Sequence, residues 1–243
     1  MSKSSSQQQL SKRQAMKQQR QQQARRQRLI TIISITGIIA LLIAVITIPQ
    51  TQKANAPVGE FVEVTPENYT NTDGFAIGDP NAPATIEVFS DYKCTACAAY
   101  SQSIEPEVIS ELVQTGKAYY IFRQYPFMDD QSNIKDSDLA AHASVCAADQ
   151  NRFFDYKKIL YANMNNIIGE FSERRLIAFA ESLNLNVIDF EACMNDDQYK
   201  LDIQSDINKA ESLNISGTPS LFVNGEQIAP GYVPSFEQIN EAV

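Results

Sequence analysis

Histidine and cysteine, the residue types that most often bind zinc, are scarce in this sequence. The 243 residues include one histidine, His142, and four cysteines. A zinc site built on one Cys-x-x-Cys pair needs two further ligands, usually a second such pair or two histidines. The sequence offers neither set, so we predict no metal and no cofactor. His142 lies four residues before Cys146, and a lone histidine so placed is typical of a partly exposed surface group.

Acidic residues are absent from the first 28 positions, which carry eight of the twenty basic residues. This segment is rich in Gln and Ser and almost free of apolar side chains, so it cannot bury enough surface to offset chain entropy. We expect residues 1–28 to form a disordered basic cytoplasmic segment. The rest of the chain holds 29 acidic and 12 basic residues, and this negative balance argues against a nucleic-acid partner.

Charge is absent again between Leu29 and Ile48. As a helix, this run would span about 30 Å, the thickness of the hydrocarbon core of a bilayer. Residues 29–48 therefore predict a single transmembrane helix. Because the basic flank precedes it, the positive-inside rule places the N-terminus in the cytoplasm and the chain after Pro49 outside the membrane.

A cleavable signal peptide is the alternative to this anchor. Ala54-Asn55-Ala56 has the A-x-A form that signal peptidases favour. The apolar run is longer than the usual h-region of about 7 to 15 residues, and Pro57 would directly follow the cut. These features favour a retained single-pass anchor in the cell membrane.

After the anchor we predict a linker over residues 49–75, with a short strand at Phe61–Val64, and then one folded domain over residues 76–243. The linker contains Pro, Gly, Thr and Asn without sustained periodicity. The domain begins with a turn cluster followed by the apolar run Thr85–Phe89, which favours a buried strand.

The cysteine pair and a helix follow this strand. Apolar residues continue at helical spacing to Gly116, and Pro106 is expected to kink the helix midway. Ala118–Phe122 reads as the next strand. Two strands joined across a helix form a βαβ unit, so these strands are expected to be parallel.

The remaining chain combines a helical region with a terminal hairpin. Its helical segments are Leu139–Ala148, Phe153–Met164, Arg175–Leu183, Val187–Met194 and Leu201–Leu213. Ser220–Val223 and Glu226–Ala229 flank Asn224-Gly225, which favours a type I′ hairpin turn. Ser235 and Gln238 form a capping box for a last helix. The predicted class is α/β with a helical insertion at about residues 130–213.

Cys94 and Cys97 are predicted to carry the chemistry. Their spacing places both sulfurs on one face of the first helical turn, where unpaired N–H groups and the helix dipole stabilise a thiolate. Thiol-disulfide exchange proceeds by thiolate attack through a mixed disulfide. Cys94 is therefore the attacking residue and Cys97 the resolving one.

Cys146 and Cys193 lie 47 positions apart in predicted helices. Outside the cytoplasm two such thiols are expected to be oxidised, which predicts a structural disulfide. Closing this loop would stabilise the domain by about 4 kcal/mol in the chain-entropy estimate. Two unpaired buried thiols, packed as small apolar groups, are the alternative.

Four motifs follow one another along the predicted domain: Gly78-Asp79-Pro80-Asn81-Ala82-Pro83, Phe89-Ser90-Asp91-Tyr92-Lys93-Cys94-Thr95-Ala96-Cys97, Arg123-Gln124-Tyr125-Pro126 and Gly217-Thr218-Pro219-Ser220. Together they resemble the DsbA-like thiol-disulfide oxidoreductases. The resemblance implies a thioredoxin-like fold with an inserted helical domain. It also implies a cis Thr218-Pro219 bond beside the sulfurs, which would hold the substrate backbone. A trans Pro219 that starts a strand is the alternative.

The sequence departs from this family pattern at two places. Thr95-Ala96 lacks both the Pro-His of strongly oxidising members and the Gly-Pro of thioredoxins, and this dipeptide tunes the redox potential. Many relatives carry a buried acid six residues before the first cysteine, where this chain has Val88. Glu87, one residue earlier, should point to the other face of the strand.

These features predict an oxidase that introduces disulfides into reduced, unfolded exported proteins through Cys94 and Cys97. The resemblance implies reoxidation by a quinone-linked membrane partner. A reductase or isomerase of the same fold remains an alternative, as does a non-catalytic binding or metallochaperone module.

Overall fold

The computed structural model describes residues 26, 34–39, 58–67, 69, 71–131, 135–165, 167–196 and 199–243. The chain divides into two units, Met1–Asn55 and Ala56–Val243. Almost all described residues belong to the second unit, which contains the sheet, the helical insertion and all four cysteines.

The predicted transmembrane helix at residues 29–48 falls mostly outside the described residues. Its described part, residues 34–39, is helical. Within the described residues, no helix combines the length and the apolar character needed to cross a bilayer.

A mixed sheet of six strands forms the centre of the second unit. Its strands are β1 (Thr72–Asp73), β2 (Ala76–Ile77), β3 (Ala84–Ser90), β4 (Ala118–Gln124), β5 (Ser220–Val223) and β6 (Glu226–Ile228). They lie in the order β1-β2-β4-β3-β5-β6. β3 and β4 are parallel, as the βαβ prediction required, and the other neighbouring pairs are antiparallel.

The turn before β3 depends on a glycine. Gly78 has φ +109°, and a Cβ there would lie 2.7 Å from a methyl of Val113 and 3.1 Å from the carbonyl oxygen of Ala118. Only a residue without a side chain fits this close approach to the start of β4. The turn cluster identified in the sequence therefore brings β2 and β3 to opposite sides of β4.

The helix after the cysteines is interrupted near Pro106, as predicted. α1 (Thr95–Ser103) ends at Ile104, α2 (Glu105–Val108) carries the proline in its first turn, and a π-helical turn at Ile109–Val113 follows. Proline lacks the N–H that would continue the hydrogen-bond ladder, so the break falls just before it.

The helical insertion was predicted with small errors at the helix ends. Its helices are α3 (Asp136–Ala148), α4 (Phe153–Ala162), α5 (Glu173–Ser182), α6 (Val187–Met194) and α7 (Lys200–Ser212). A large core, including Val88, Tyr92, Tyr120 and Phe122, joins the sheet to the insertion. A smaller cluster on the other side of β3 joins Phe89 and Phe222 to Ala210 of α7.

The structure differs from the sequence prediction in the segment before the sheet. Residues 58–67 form no strand, so the strand expected at Phe61–Val64 is wrong. This segment packs on the helices instead: Phe61 contacts the Phe179 ring at 5.0 Å between centroids. The Asn163 side chain binds both the N–H and the carbonyl of Val62, in place of a neighbouring strand. The linker predicted over 49–75 therefore has a described part that belongs to the folded unit.

The C-terminal hairpin and the last helix follow the prediction. Asn224 and Gly225 both have positive φ, +51° and +82°, as a type I′ turn requires. The Asn224 side chain also accepts a hydrogen bond from the Thr85 N–H at 2.9 Å, which ties the turn to β3. Ser235 and Gln238 form the predicted capping box of α8 (Phe236–Ala242).

Candidate active site

Cys94 and Cys97 lie at the start of α1, directly after the carboxyl end of β3. Cys94 is the N-cap residue and is half-buried, whereas Cys97 is 0% exposed in the first turn. Both are thiols in this structure. The helix orientation exposes one sulfur to a partner and places the other behind it, which suits thiol-disulfide exchange.

The two thiols titrate in opposite directions. A hydrogen bond with the Cys97 sulfur lowers the pKa of the Cys94 thiol to about 5. Burial opposes this lowering, and hydrogen bonds from the Thr218 side chain and from the backbone N–H groups of Cys97 and Ala96 reinforce it. Burial raises the pKa of the Cys97 thiol well above its usual value, and the neighbouring Cys94 raises it further. At neutral pH the pair therefore carries one negative charge, on the more exposed sulfur.

Thr218 and Pro219 lie beside this pair, 124 residues further along the chain. Their peptide bond is cis, as the family resemblance implied. When protonated, the Cys94 thiol donates to the Thr218 carbonyl oxygen at 3.2 Å. A groove of about 370 Å³ runs past this segment, lined among others by Ala96, Gly217 and Tyr232.

Ser90 and Tyr161 lie on the buried side of the pair. Ser90 is the last residue of β3, and a hydrogen bond from its side chain lowers the otherwise raised pKa of Cys97. The Tyr161 hydroxyl, from α4, donates to the Ser90 oxygen at 3.0 Å. Both residues are 2% exposed, so the helical insertion extends the hydrogen-bond network around Cys97.

Asp91 holds the turn between β3 and Cys94. Its carboxylate accepts from the Lys93 N–H at 2.7 Å, the Met128 N–H at 2.9 Å and the Ser137 hydroxyl at 2.7 Å. Burial raises the pKa of Asp91 to about 6 despite these donors. The Met128 and Ser137 donors join the turn to the segment after β4 and to α3, which fixes the position of Cys94.

Lys93, the residue before Cys94, also fixes the turn between β3 and α1. Its ammonium group lies 2.6 Å from Glu170 and 3.6 Å from Asp136, and it donates to the Ile167 carbonyl oxygen at 2.9 Å. The lysine side chain is 14% exposed, so these interactions are screened by solvent less than those of a surface pair. They attach the turn before the cysteines to the segment between α4 and α5.

Glu87 forms ion pairs with residues other than the cysteines, as expected for a side chain on the other face of β3. It pairs with Arg123 at 2.6 Å and with Lys209 of α7. Burial alone would raise the pKa of Glu87, but hydrogen bonds from Lys209 and Arg123 lower it below its usual value. Val88, at the position where many relatives have an acid, is fully buried in the main core.

Cys146 of α3 and Cys193 of α6 are joined by a disulfide, with their Cα atoms 5.7 Å apart. Their sulfurs and a nitrogen of His142 lie within 4.8 Å of one another, the only such trio of potential metal ligands among the described residues. Two of its three donor atoms are already bonded to each other, so the trio is not a metal site in this form. His142 is partly exposed, as expected.

The sequence motifs located the cysteines and the proline but not the polar residues around them. Tyr161 lies 67 positions after Cys94 in a helix whose spacing indicates only a buried face. Ser90 and Asp91 stand inside the recognised motif, yet nothing in the local pattern shows which groups they contact. Their partners, Tyr161, Met128 and Ser137, become neighbours only in the tertiary structure.

Comparisons with known proteins agree with this site. A thioredoxin family model matches residues 70–243. The chain is 27% identical over 173 residues to "Probable disulfide bond formation protein D" of Bacillus anthracis, covering 69% of this chain and 76% of the relative.

Solved structures show the same fold. The oxidised BdbD of Bacillus subtilis superimposes with a TM-score of 0.61 at 22% identity, covering 75% of this chain and 96% of that one. The α-DsbA1 of Wolbachia pipientis gives a TM-score of 0.59 at 23% identity, covering 72% and 90%. The chain thus belongs to the thioredoxin family, as a thiol-disulfide oxidoreductase whose fold, with its helical insertion, is similar to that of DsbA proteins.

Proposed function

We propose that this protein is an oxidase that introduces disulfides into reduced proteins outside the cytoplasm. The observation that carries the proposal is the stabilised thiolate of Cys94. The pKa of about 5 at Cys94 means that the reduced enzyme is stabilised by ionisation at neutral pH. A stabilised reduced form makes the disulfide form a stronger oxidant.

Each proposed site residue has its own role in the cycle. A substrate thiolate attacks the Cys94 sulfur of the Cys94–Cys97 disulfide, and Cys97 departs as a thiolate. A second substrate thiolate then displaces Cys94, which leaves an oxidised substrate and a reduced enzyme. Thr218 and Pro219 present backbone to the substrate beside Cys94, and the neighbouring groove accommodates the peptide.

The substrate class and the location follow from the accessible sulfur and the predicted anchor. We propose that the clients are exported proteins that arrive unfolded, since only a flexible chain brings its cysteine to a half-buried sulfur. The apolar run at residues 29–48 would hold the enzyme in the membrane with its catalytic domain outside. A quinone-linked membrane protein would reoxidise the Cys94–Cys97 pair.

A redox titration of the Cys94–Cys97 pair tests the direction of electron flow. We expect a potential nearer to the value of about -120 mV found for strong oxidants than to the value of about -270 mV found for thioredoxin. The titration is followed by thiol alkylation and mass measurement in a glutathione buffer. A Cys146→Ala/Cys193→Ala variant is the matched control, because it leaves a single titrating pair. A thioredoxin-like potential would contradict the oxidase assignment.

Covalent trapping tests the clients and the partner. Replacing Cys97 by alanine removes the resolving thiol, so mixed disulfides on Cys94 should persist. They are expected to contain exported proteins and one membrane redox protein. A Cys94→Ala/Cys97→Ala variant should trap neither, and a Cys97→Ala protein without adducts would contradict catalysis at this site.

A further inference from the structure

The exchange reaction must place a negative charge on a sulfur that is sealed from solvent. When a substrate thiolate attacks Cys94, a new S–S bond forms and the bond from Cys94 to Cys97 breaks. The electron pair of the broken bond stays on the Cys97 sulfur, which is 0% exposed. A buried charge is costly unless a hydrogen bond compensates it. The nearby acids are committed elsewhere: Glu87 to Arg123 and Lys209, and Asp91 to three donors.

The hydroxyl groups of Ser90 and Tyr161 are arranged to provide this compensation. Because the Tyr161 hydroxyl donates to the Ser90 oxygen at 3.0 Å, the proton of Ser90 remains available for another acceptor. Hydrogen bonds from the side chains of Ser90 and Thr218 lower the pKa of the Cys97 thiol, and of these two only Ser90 is itself held by a hydroxyl of the helical insertion. The Tyr161 ring is held in place by the Tyr92 ring, 5.1 Å away between centroids.

We infer that Ser90 is a catalytic residue that donates a hydrogen bond to the departing Cys97 thiolate, and that Tyr161 is the positioning residue that orients Ser90. This inference rests on the proposed exchange at Cys94. By microscopic reversibility, the same two hydroxyls assist Cys97 when it attacks a mixed disulfide. They have no part in the step that displaces Cys94, because no charge develops on Cys97 there.

The first step of exchange tests the inference directly. Oxidised wild-type, Ser90→Ala, Tyr161→Phe and Ser90→Thr proteins are mixed with a reduced dithiol peptide, quenched with acid, and analysed by mass for the mixed disulfide. Ser90→Ala should slow the attack about tenfold, the low end for a hydrogen bond to a charged group. Tyr161→Phe should slow it about threefold, because it acts through Ser90. Ser90→Thr keeps the hydroxyl and should restore most of the rate.

A second rate separates this role from a structural one. Alkylation of Cys94 in the reduced proteins involves no charge on Cys97, so its rate should be unchanged in Ser90→Ala and Tyr161→Phe. Ser144→Ala and Tyr156→Phe are matched controls that remove other buried hydroxyls, which bond to the Ala141 and Leu176 carbonyls. Both controls should react with the peptide at the wild-type rate.

Three results would overturn the inference. The first is an attack rate in Ser90→Ala that equals the wild-type rate. The second is a Ser90→Ala protein in which peptide attack and Cys94 alkylation are slowed by the same factor. The third is a slowing of peptide attack in Ser144→Ala or Tyr156→Phe as large as that in Ser90→Ala. Tyr161→Phe leaves β3 unaltered and remains informative where Ser90→Ala is unstable. A wild-type disulfide that does not react with the peptide would overturn the proposed function as well, whereas a reactive wild type with unaffected variants overturns this inference alone.

Discussion

The acidity of the Cys94 thiol depends on neighbours from two distant parts of the chain. Cys97 and Ala96 are local and come with the first turn of α1, whereas Thr218, whose side chain also lowers the pKa of Cys94, comes from the loop before β5. The first-turn N–H groups stabilise negative charge at any helix start. The largest lowering contribution comes from the Cys97 thiol, so the spacing of the two cysteines sets the reactivity of the first.

The pH dependence of Cys94 alkylation checks this account at the residue scale. The reduced wild-type protein should react at a constant rate above pH 6, and the rate should fall as the pH drops through about 5 and protonates the thiolate. In Cys97→Ala the midpoint should move upward, because the largest lowering contribution is lost. Iodoacetamide alkylation followed by mass spectrometry measures both curves.

The control for this curve is a protein without the second disulfide. Cys146→Ala/Cys193→Ala should keep the wild-type midpoint, since neither residue contributes to the pKa of Cys94. A wild-type midpoint near the ordinary cysteine value of about 8.5 would contradict the proposed chemistry.

At the scale of elements, the helical insertion contacts the buried side of the site, and a disulfide links two helices of the insertion. α4 supplies Tyr161, and the segment between α4 and α5 supplies Glu170 to Lys93. The buried pair of Lys157 in α4 and Glu105 in α2 adds a further link, and Tyr120 of β4 also donates to Glu105. The disulfide between α3 and α6 lies within the insertion.

Removing this disulfide should change stability more than reactivity. Cys146→Ala/Cys193→Ala should lower the free energy of unfolding by about 4 kcal/mol, because a 47-residue separation is no longer constrained in the unfolded chain. Urea denaturation of the oxidised proteins measures the loss. The alkylation rate of Cys94 should stay within about twofold of wild type, as expected for independent sites. A large fall in that rate would show that the insertion is held against the cysteines by the disulfide.

At the scale of the whole molecule, charge and apolar character are divided along the chain. The first 28 residues are basic, residues 29–48 are uncharged, and the rest carries an excess of acids. The compact unit Ala56–Val243 contains every residue of the proposed site. The catalytic chemistry and the predicted membrane attachment therefore belong to separable parts of the protein.

Deleting residues 1–55 should separate these two properties. In a bacterial host the full chain should sediment with membranes and resist alkaline extraction, whereas residues 56–243 should be soluble. Both proteins should oxidise a soluble dithiol peptide at the same rate, because the site lies in the common unit. Peptide sequencing of the N-terminus of the full chain is the deciding control: a mature protein beginning after Ala56 would establish the cleaved signal peptide instead of the anchor.

Short-range patterns in the sequence were sufficient for much of the fold and part of the site. The strands β3 to β6, the insertion helices, the hairpin at Asn224-Gly225 and the break near Pro106 are set by residues within a few positions of one another, whereas the two-residue strands β1 and β2 were not predicted. The helix-start position of Cys94 and Cys97 follows from the same kind of local pattern. The cis bond before Pro219 came from the family resemblance, because an X-Pro dipeptide alone does not determine its isomer.

Only the tertiary structure decided which groups surround the sulfurs and where the folded unit begins. Ser90 meets Tyr161 across 71 positions, and Val62 meets Asn163 across 101. Such contacts leave no local periodicity, because each depends on the packing of elements that are distant in the chain. The sequence itself determined where a reactive thiol could lie. The packing of the insertion determined which hydroxyl groups surround the buried thiol of Cys97.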